Sequence, residues 1–393
     1  MKLLWLTGWY PNKTEPYTGD FIQRHAAAVA LYHRVEVIHL VRDRDGIVTK
    51  DVHEDVFEKG SLTERIIYYY SPRLPLSPAE RLLSGLRYRS LYRAAIENYL
   101  QREGKPTGVH VQIAGKNGWM AYWLKGRMGI PYVVSEQWTG YLPEARLATG
   151  RPSIIPRWMW ERVMKNAAGV SVVSHWLGNA LQALQKEISY TVIPNVVDTH
   201  VFYPGPAATA KGPVHFIHIS TLGYQKDPEG IFRALAMVKQ KRHAFRLSVF
   251  GRPGPALLQM RAELGLEKEI QFHEEVPQTV LSEYLRQADA LILYSRYETF
   301  GCVLIEANAC GLPAIVSDIP VHHETIAEGV NGYFAAGENP AALAEKISWF
   351  IQQGNTIGKE AIAAAAREKY NYEKIGGLFT AFYERTIGRE KQG

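Results

Sequence analysis

Two glutamates eight residues apart, Glu298 and Glu306, sit where a charge needs explaining. They belong to YETFGCVLIEANACGLPAIVS, residues 297–317. Glu306 lies between the apolar runs Cys302–Val303–Leu304–Ile305 and Ala307–Asn308–Ala309–Cys310. A buried carboxylate without a partner costs several kcal/mol, so donors must be waiting for it. Two readings fit. The first-turn amides of a helix are unsatisfied donors. A diphosphate at that helix end, with Glu306 accepting from vicinal hydroxyls such as those of a ribose, would use both features. Alternatively, Glu306 pairs internally with an arginine, and Glu298 is simply favoured beside the helix dipole.

The surrounding periodicity says which elements carry these groups. ALILYS (290–295) predicts a strand, FGCVLIEANACG (300–311) a helix stopped by Gly311, and LPAIVS the next strand. Glu298 then lies in the loop off the strand's carboxyl end. Glu306 lies within a helix apolar nearly all round, hence buried. Similar β-branched runs recur along the first half: Lys2–Leu6, Val35–Val41, Ile66–Tyr70, Val109–Ile113, Tyr132–Ser135, Val170–Ser174 and Tyr190–Ile193. The second half has Val214–Ser220, Arg246–Phe250, Ile270–Phe272, Ala290–Tyr294 and Ala314–Ser317. Helical periodicity fills gaps between them, as in Phe21–Leu31, Arg87–Leu100, Pro228–Lys239 and Thr279–Gln287. Strands alternating with helices predict the α/β class, with parallel sheets covered on both faces. Two such series predict two doubly wound domains. NVVDTHVFYPGPAATAKGP (195–213) predicts the linker. Ligands of such sheets bind at the carboxyl ends of the strands, so the cleft between the domains is the expected site.

Composition agrees with a soluble globular chain: 393 residues, 46% apolar and 21% charged. The two cysteines, Cys302 and Cys310, lie in the apolar segment and read as reduced core residues of a cytosolic protein. No apolar run reaches the roughly 18 residues of a membrane span. The start, MKLLWLTGWYP, is too short for a signal peptide and reads as a first strand. Residues 1–205 hold 25 basic and 18 acidic side chains, against 20 and 21 in the remainder. That bias suits an anionic partner or is a solvated surface.

The segment from Glu298 to Ser317 resembles the E-x7-E signature of retaining, sugar-nucleotide-dependent glycosyltransferases with the GT-B fold, family four (glycosyl transferases group 1). Both glutamates, Phe-Gly, Gly-Leu-Pro and the following strand match in order. GWYPNKTEPYTGDFIQRHAAAVAL is similar to that family's first strand, glycine loop and first helix. VIPNVVD (192–198) resembles its I-P-N-G-V-D segment, and STLGYQKDPEGIFRAL its G-R-L-x-x-x-K-G strand and turn. YNYEKIGGLFTAFYER (370–385) resembles the closing helix that returns to the N-terminal domain.

The resemblance implies two Rossmann-like domains facing across a cleft. Residues 1–195 plus 372–393 would bind the acceptor, and 196–371 the donor. A sugar would move from a nucleoside diphosphate to an acceptor hydroxyl with retention, by a front-face mechanism. Glu306 would bind the ribose and Glu298 the transferred sugar. The amides of Thr299, Phe300, Gly301, Cys302 and Val303, with Lys226, would hold the diphosphate. Gly19 would let the N-terminal loop approach the phosphate without a Cβ clash. Neither cofactor nor metal is expected, because Lys226, amides and a helix dipole take over the charge. The implied partners are a nucleotide sugar and a glycan or lipid-linked acceptor in bacterial cell-surface polysaccharide or glycolipid synthesis. The implied location is the cytoplasm, with a peripheral contact at the anionic inner face of the membrane.

Several positions depart from the family. Thr221 stands where it has arginine, and Arg252 in FGRPG is a candidate substitute. Gln137 stands at its histidine; glutamine hydrogen-bonds a sugar but cannot take a proton. Gln137 is grouped with Glu298 and Lys226 as the catalytic set. Neighbouring Glu136 reads either as a base or as a salt-bridged structural residue. A degenerate relative that binds donor without turnover is the alternative. RDRDG (42–46) contains D-x-D but reads as a solvated turn. His322 and His323 are adjacent and point apart, unlike paired metal ligands. ERLLSGLRYRSLYRAAIENYLQREGK (80–105) is basic and amphipathic; it lies on an anionic membrane or packs its apolar face into the domain. Scattered aromatics argue against nucleic acid.

Overall fold

The computed structural model describes residues 1–71, 78–145, 156–205, 212–354 and 356–388; in the helix from Pro78, side chains are described from Leu83. The first sheet holds β1 (Lys2–Thr7), β2 (Arg34–Asp43), β3 (Val52–Lys59) and β4 (Leu62–Tyr70). It continues with β5 (Gly108–Gln112), β6 (Tyr132–Glu136), β7 (Gly169–Val172) and β8 (Tyr190–Val192). Their spatial order is β3-β4-β2-β1-β5-β6-β7-β8. Every pairing is parallel except β3 with β4. The second sheet holds β9 (Val214–Ile219), β10 (Phe245–Phe250), β11 (Ile270–His273), β12 (Ala290–Leu293), β13 (Ala314–Ser317) and β14 (Gly332–Ala335). Its order is β11-β10-β9-β12-β13-β14, all parallel.

Parallel strands covered on both faces read as continuous apolar runs. In β1, Leu3, Leu4, Trp5 and Leu6 are all fully buried. Two strands escaped the sequence analysis. β3, VHEDVFEK, is an edge strand exposed along nearly its whole length, so no apolar pattern marks it. β14 is four residues opened by Gly332.

Around the first sheet lie α1 (Asp20–Ala30), α2 (Pro78–Glu103), α3 (Lys116–Met128), α4 (Arg157–Asn166) and α5 (His175–Leu184). Around the second lie α6 (Pro228–Gln240), α7 (Pro255–Glu263), α8 (Gln278–Gln287), α9 (Cys302–Ala309), α10 (Pro340–Gln353) and α11 (Lys359–Tyr370). The last helix, α12 (Tyr372–Thr386), packs on α1 and on the first sheet. Phe379 meets Trp5 of β1, with ring centroids 6.3 Å apart. Tyr383 Oη lies 2.7 Å from His110 Nδ1 of β5.

Two expectations change here, for the linker and the D-x-D turn, and between them the basic helix shows the packed face that one of its two readings gave it. The segment 195–213 is not a free linker at its start: Val196, Val197 and Phe202 are buried in the core, because the chain threads between the sheets. Residues 206–211 of that segment lie outside the described residues. In α2, Tyr92, Ile96 and Tyr99 are fully buried, as a domain helix requires, while Leu83 and Leu86 stay 64% and 52% exposed beside Arg87 and Arg89. Arg81 and Leu82 of that amphipathic stretch fall outside the described side chains. Asp43 of the D-x-D turn is buried rather than solvated. Its carboxylate accepts from the amides of Ile47, Val48 and Thr49 at 2.8–2.9 Å and so shapes the turn. No described helix is long and apolar enough to cross a membrane.

Candidate active site

A cavity of about 350 Å³ lies between the two sheets. Tyr17, Asp20, Phe21, Arg24, Gln137 and Asn195 face it from the first sheet's side. Thr221, Lys226 and Glu298–Val303 face it from the second, together with Glu306. Apart from Gly19, every residue assigned to donor binding or to the catalytic set therefore lines one cavity.

Two loops at the carboxyl ends of β9 and β12 are tied together, and this sets Lys226 against Glu298. The backbone amide of Arg296 donates to Gln225 O (2.8 Å), and Gln225 Nε2 donates to Tyr297 O (3.0 Å). The Arg296 guanidinium pairs with Asp227 and stacks 4.2 Å from the Tyr224 ring. Asp227, in the left-handed region, caps α6 by accepting from Gly230 N. Within this frame the Lys226 ammonium bonds Glu298 Oε1, and Ser295 Oγ donates to the same oxygen at 3.1 Å. Both carboxylate and ammonium are largely buried.

The helix with Glu306 starts at Cys302 rather than Phe300, since Gly301 sits in the left-handed region (φ 82°) as its N-cap. The turn Thr299–Val303 lines the cavity, and the leading amides of its helix lack intrahelical acceptors. Ser174 Oγ of the first sheet's side holds this turn by donating to Thr299 O (2.6 Å). Burial pushes the Cys302 thiol well above its ordinary value, so Cys302 offers its backbone and not a thiolate.

Glu306 does not face the cavity unpaired, so the internal ion-pair reading holds in part. Arg24 Nη1, from α1, donates to its Oε1 at 2.7 Å. The two side chains are 6% and 5% exposed. Arg24 Nη2 also meets Asp20 Oδ2 at 3.2 Å, and Gln278 Nε2 of α8 donates to that oxygen at 2.6 Å. Burial raises the Glu306 carboxyl above its ordinary value, against the lowering pull of Arg24. Burial also pulls the Arg24 guanidinium down, but the two carboxylates more than restore it, and it stays charged. Arg24 and Asp20 were missed by sequence reasoning; their signal was an acid and a base four residues apart just after the glycine loop.

Gln137 is buried, with Nε2 3.3 Å from His25 Nδ1. The other ring nitrogen, Nε2, faces the carbonyl of Pro194 (3.1 Å), which can only accept, so Nε2 carries the proton. Burial holds His25 at about 4, hence neutral. Gln137 thus spends an amide hydrogen on His25 while it lines the cavity. Asn195, from VIPNVVD, is buried and lines the cavity with an Oδ1 that has no partner among the described residues.

Other expectations are corrected. Gly19 does not line the cavity, and it has a local reason to be glycine. It has φ 76°, and a Cβ there would sit 2.7 Å from the backbone of Trp9 and Tyr10. Thr221 is an exposed rim residue, and Arg252 is exposed and outside the cavity lining. Glu136 pairs with no cation among the described residues. It accepts from Ala114 N and Tyr141 Oη at 2.8 Å each and does not line the cavity. His322 is buried with Nδ1 2.8 Å from Ser317 O, while exposed His323 pairs with Asp318. Glu324 accepts from His175 N and Trp176 N, capping α5 across the cleft.

Burial pushes the Glu136 carboxyl up to about 7. Its folded pKa lies above the unfolded value near 4.5, so the native state binds the extra proton between these pH values. Stability from this group is full below about 4.5 and is lost as pH rises through 7. Glu136→Gln keeps both acceptor contacts and has nothing to ionise. Its stability relative to wild type is expected to improve by about 1.4 kcal/mol per unit over that window. Denaturant midpoints at pH 5, 6 and 7 check this; a constant difference would refute it.

Two facing Rossmann-like sheets with a cavity at their strand ends, closed by a returning helix, are the GT-B architecture. The description Glycosyl transferases group 1 matches residues 204–369, and Glycosyl transferase 4-like domain matches residues 19–196. The chain belongs to the glycosyl transferases group 1 and is a glycosyltransferase. Its relatives include D-inositol 3-phosphate glycosyltransferases of Frankia alni and Acidothermus cellulolyticus. The first is 24% identical over 63% of this chain and 68% of the relative. The second is 25% identical over 73% and 74%. Among solved structures, sucrose-phosphate synthase from Thermosynechococcus elongatus has a TM-score of 0.75 at 18% identity, covering 99% of this chain and 100% of that one. Anabaena HepE in complex with UDP and glucose has 0.69 at 15%, covering 98% and 100%.

Proposed function

We propose that this glycosyltransferase moves a sugar, with retention, from a nucleoside-diphosphate sugar to an acceptor hydroxyl. Residues 196–371 would hold the donor, and residues 1–195 with 372–393 the acceptor. One observation carries the reading: a single cavity gathers Lys226, Glu298, the turn Thr299–Val303 at the start of α9, and Glu306. In this reading the amides and Lys226 hold the diphosphate. Glu306 accepts from the ribose hydroxyls, and Glu298 and the Gln137 oxygen contact the transferred sugar. The apolar end formed by Phe250, Val276 and Leu281 suits the base. The relatives' UDP complexes support a nucleotide donor.

In the transfer, the bond from the anomeric carbon to the phosphate oxygen breaks, and its electron pair stays on phosphate. The acceptor oxygen bonds that carbon on the same face, and its proton passes to the departing phosphate. The two buried glutamates are both engaged by cations, Glu298 by Lys226 and Glu306 by Arg24. That engagement supports a front-face route over attack by a carboxylate nucleophile. We assign no resident cofactor or metal to this step. The acceptor class proposed is a bacterial cell-surface glycan or glycolipid.

A thermal-shift panel of UDP, GDP, ADP and their sugar conjugates, with and without chelator, tests this. A ligand at about 100 times its dissociation constant stabilises by roughly 2.7 kcal/mol. A selective shift that survives the chelator is expected. No shift with any nucleotide would overturn the donor site, and a shift lost to chelator would overturn the metal-free mechanism.

A further inference from the structure

We propose that Arg24 is the second cation on the leaving diphosphate, stored on Glu306 until the donor's ribose takes that carboxylate. This rests on the donor-site reading above. On the second sheet's side the cavity offers Lys226, which already pairs with Glu298. Thr221 supplies no charge, and Arg252 is outside the lining. Among the described residues, the one guanidinium lining the cavity is Arg24, and it comes from the opposite sheet on α1.

Its surroundings fit a group that changes partners. A buried ion pair is weak as a device for stability, since two apolar side chains of similar size do as well or better. Here the pair spans the cleft, from α1 to α9. Nη1 is on Glu306 at 2.7 Å and Nη2 on Asp20 at 3.2 Å, while Nε has no partner among the described residues. A guanidinium has five N–H donors in a planar fork that suits phosphate oxygens. Ribose hydroxyls donate to a carboxylate, so they compete with Nη1 for Glu306. When Glu306 lets go, Asp20 still holds Nη2, and Gln278 of α8 still holds Asp20. The guanidinium therefore stays in the cavity with a fork edge open to the diphosphate. As the anomeric carbon–oxygen bond breaks, the charge gathering on phosphate meets two cations, one from each sheet. Donor activation then requires both sheets together, which withholds it from an open cleft where water would be the acceptor.

The experiment compares wild type, Arg24→Gln and Arg24→Lys. The readouts are turnover, melting temperature and affinity for UDP and UMP, or for the diphosphate and monophosphate of the base that wild type selects. Arg24→Gln is expected to lower turnover by about 10²–10³-fold, the usual loss of one preorganised charge-stabilising donor. It is also expected to lose affinity for UDP and not for UMP, which lacks the second phosphate. Dilute guanidinium should restore part of that turnover, and Arg24→Lys should retain more of it than glutamine does. Turnover equal to wild type, or equal losses for UDP and UMP, would overturn the proposal and leave Arg24 a structural pair. If Arg24→Gln does not fold, Arg24→Lys decides: a reduced UDP-over-UMP preference at unchanged melting supports the proposal, and an unchanged preference overturns it. Wild type that binds no nucleoside diphosphate would instead overturn the donor-site reading, a failure seen before any variant is made.

Discussion

Lys226→Ala lowers turnover by about 10²–10³-fold, the loss expected when one preorganised donor is removed from the charge developing on a leaving group. The ammonium is fixed by two welded loops and not by its own flexibility. Gln225, Arg296 and Asp227 hold the turn that carries it, so it pays little reorganisation at the moment of bond breaking. The loss should fall mainly on kcat, because the phosphate gains charge as the bond opens. Glu298 keeps the hydroxyl of Ser295 at 3.1 Å, which limits the damage to the fold. Steady-state kinetics with a saturating donor check the split. A variant with unchanged kcat and a raised KM would make Lys226 a binding group only.

Glu306→Gln is expected to weaken nucleoside diphosphate binding by about 10–100-fold, since hydrogen bonds to a charged group contribute roughly 1.5–3 kcal/mol. Glutamine is the better probe than alanine. Alanine would strand the Arg24 guanidinium with Asp20 alone, and breaking a buried pair from one side costs about 3–5 kcal/mol. Affinities for UDP and 2′-deoxy-UDP give the decisive comparison. Wild type should prefer the ribose form, and Glu306→Gln should show a smaller preference, since its amide oxygen is a weaker acceptor than a carboxylate. If the preference for ribose is undiminished in the variant, another residue reads the hydroxyls.

The fold was legible because its strands are buried on both faces and write themselves as unbroken β-branched runs. Where that burial fails, so does the signal. The exposed edge strand Val52–Lys59 carries His53, Glu54, Asp55 and Glu58 and reads as loop. The C-terminal wall of the site was legible for a related reason: Glu298 and Glu306 interrupt an apolar segment, and such an interruption asks for a partner. The partner was not legible. Arg24 is 282 residues from Glu306, and on its own helix it looks like one more charge on an amphipathic face. Gln137 and His25 are similar, since their contact depends on where β6 ends against α1. Gly19 was found by its neighbours, but the close approach of the Trp9 and Tyr10 backbone was not visible in them. Glu136 was weighed against a salt bridge, and only the geometry showed an amide and a tyrosine hydroxyl in its place.

The returning helix has a consequence for how the chain is born. Trp5 on the first strand and His110 on the fifth find Phe379 and Tyr383 only at the far end of the sequence. At roughly 5–20 residues per second, a ribosome needs about 20–80 s to make 393 residues. For nearly all of that time the first sheet lacks the helix that covers Trp5. The second sheet draws its strands and the helices α6 to α11 from one continuous stretch, so it has its parts first. The half synthesised first is the half completed last, and its unfinished apolar face is the surface a chaperone would meet.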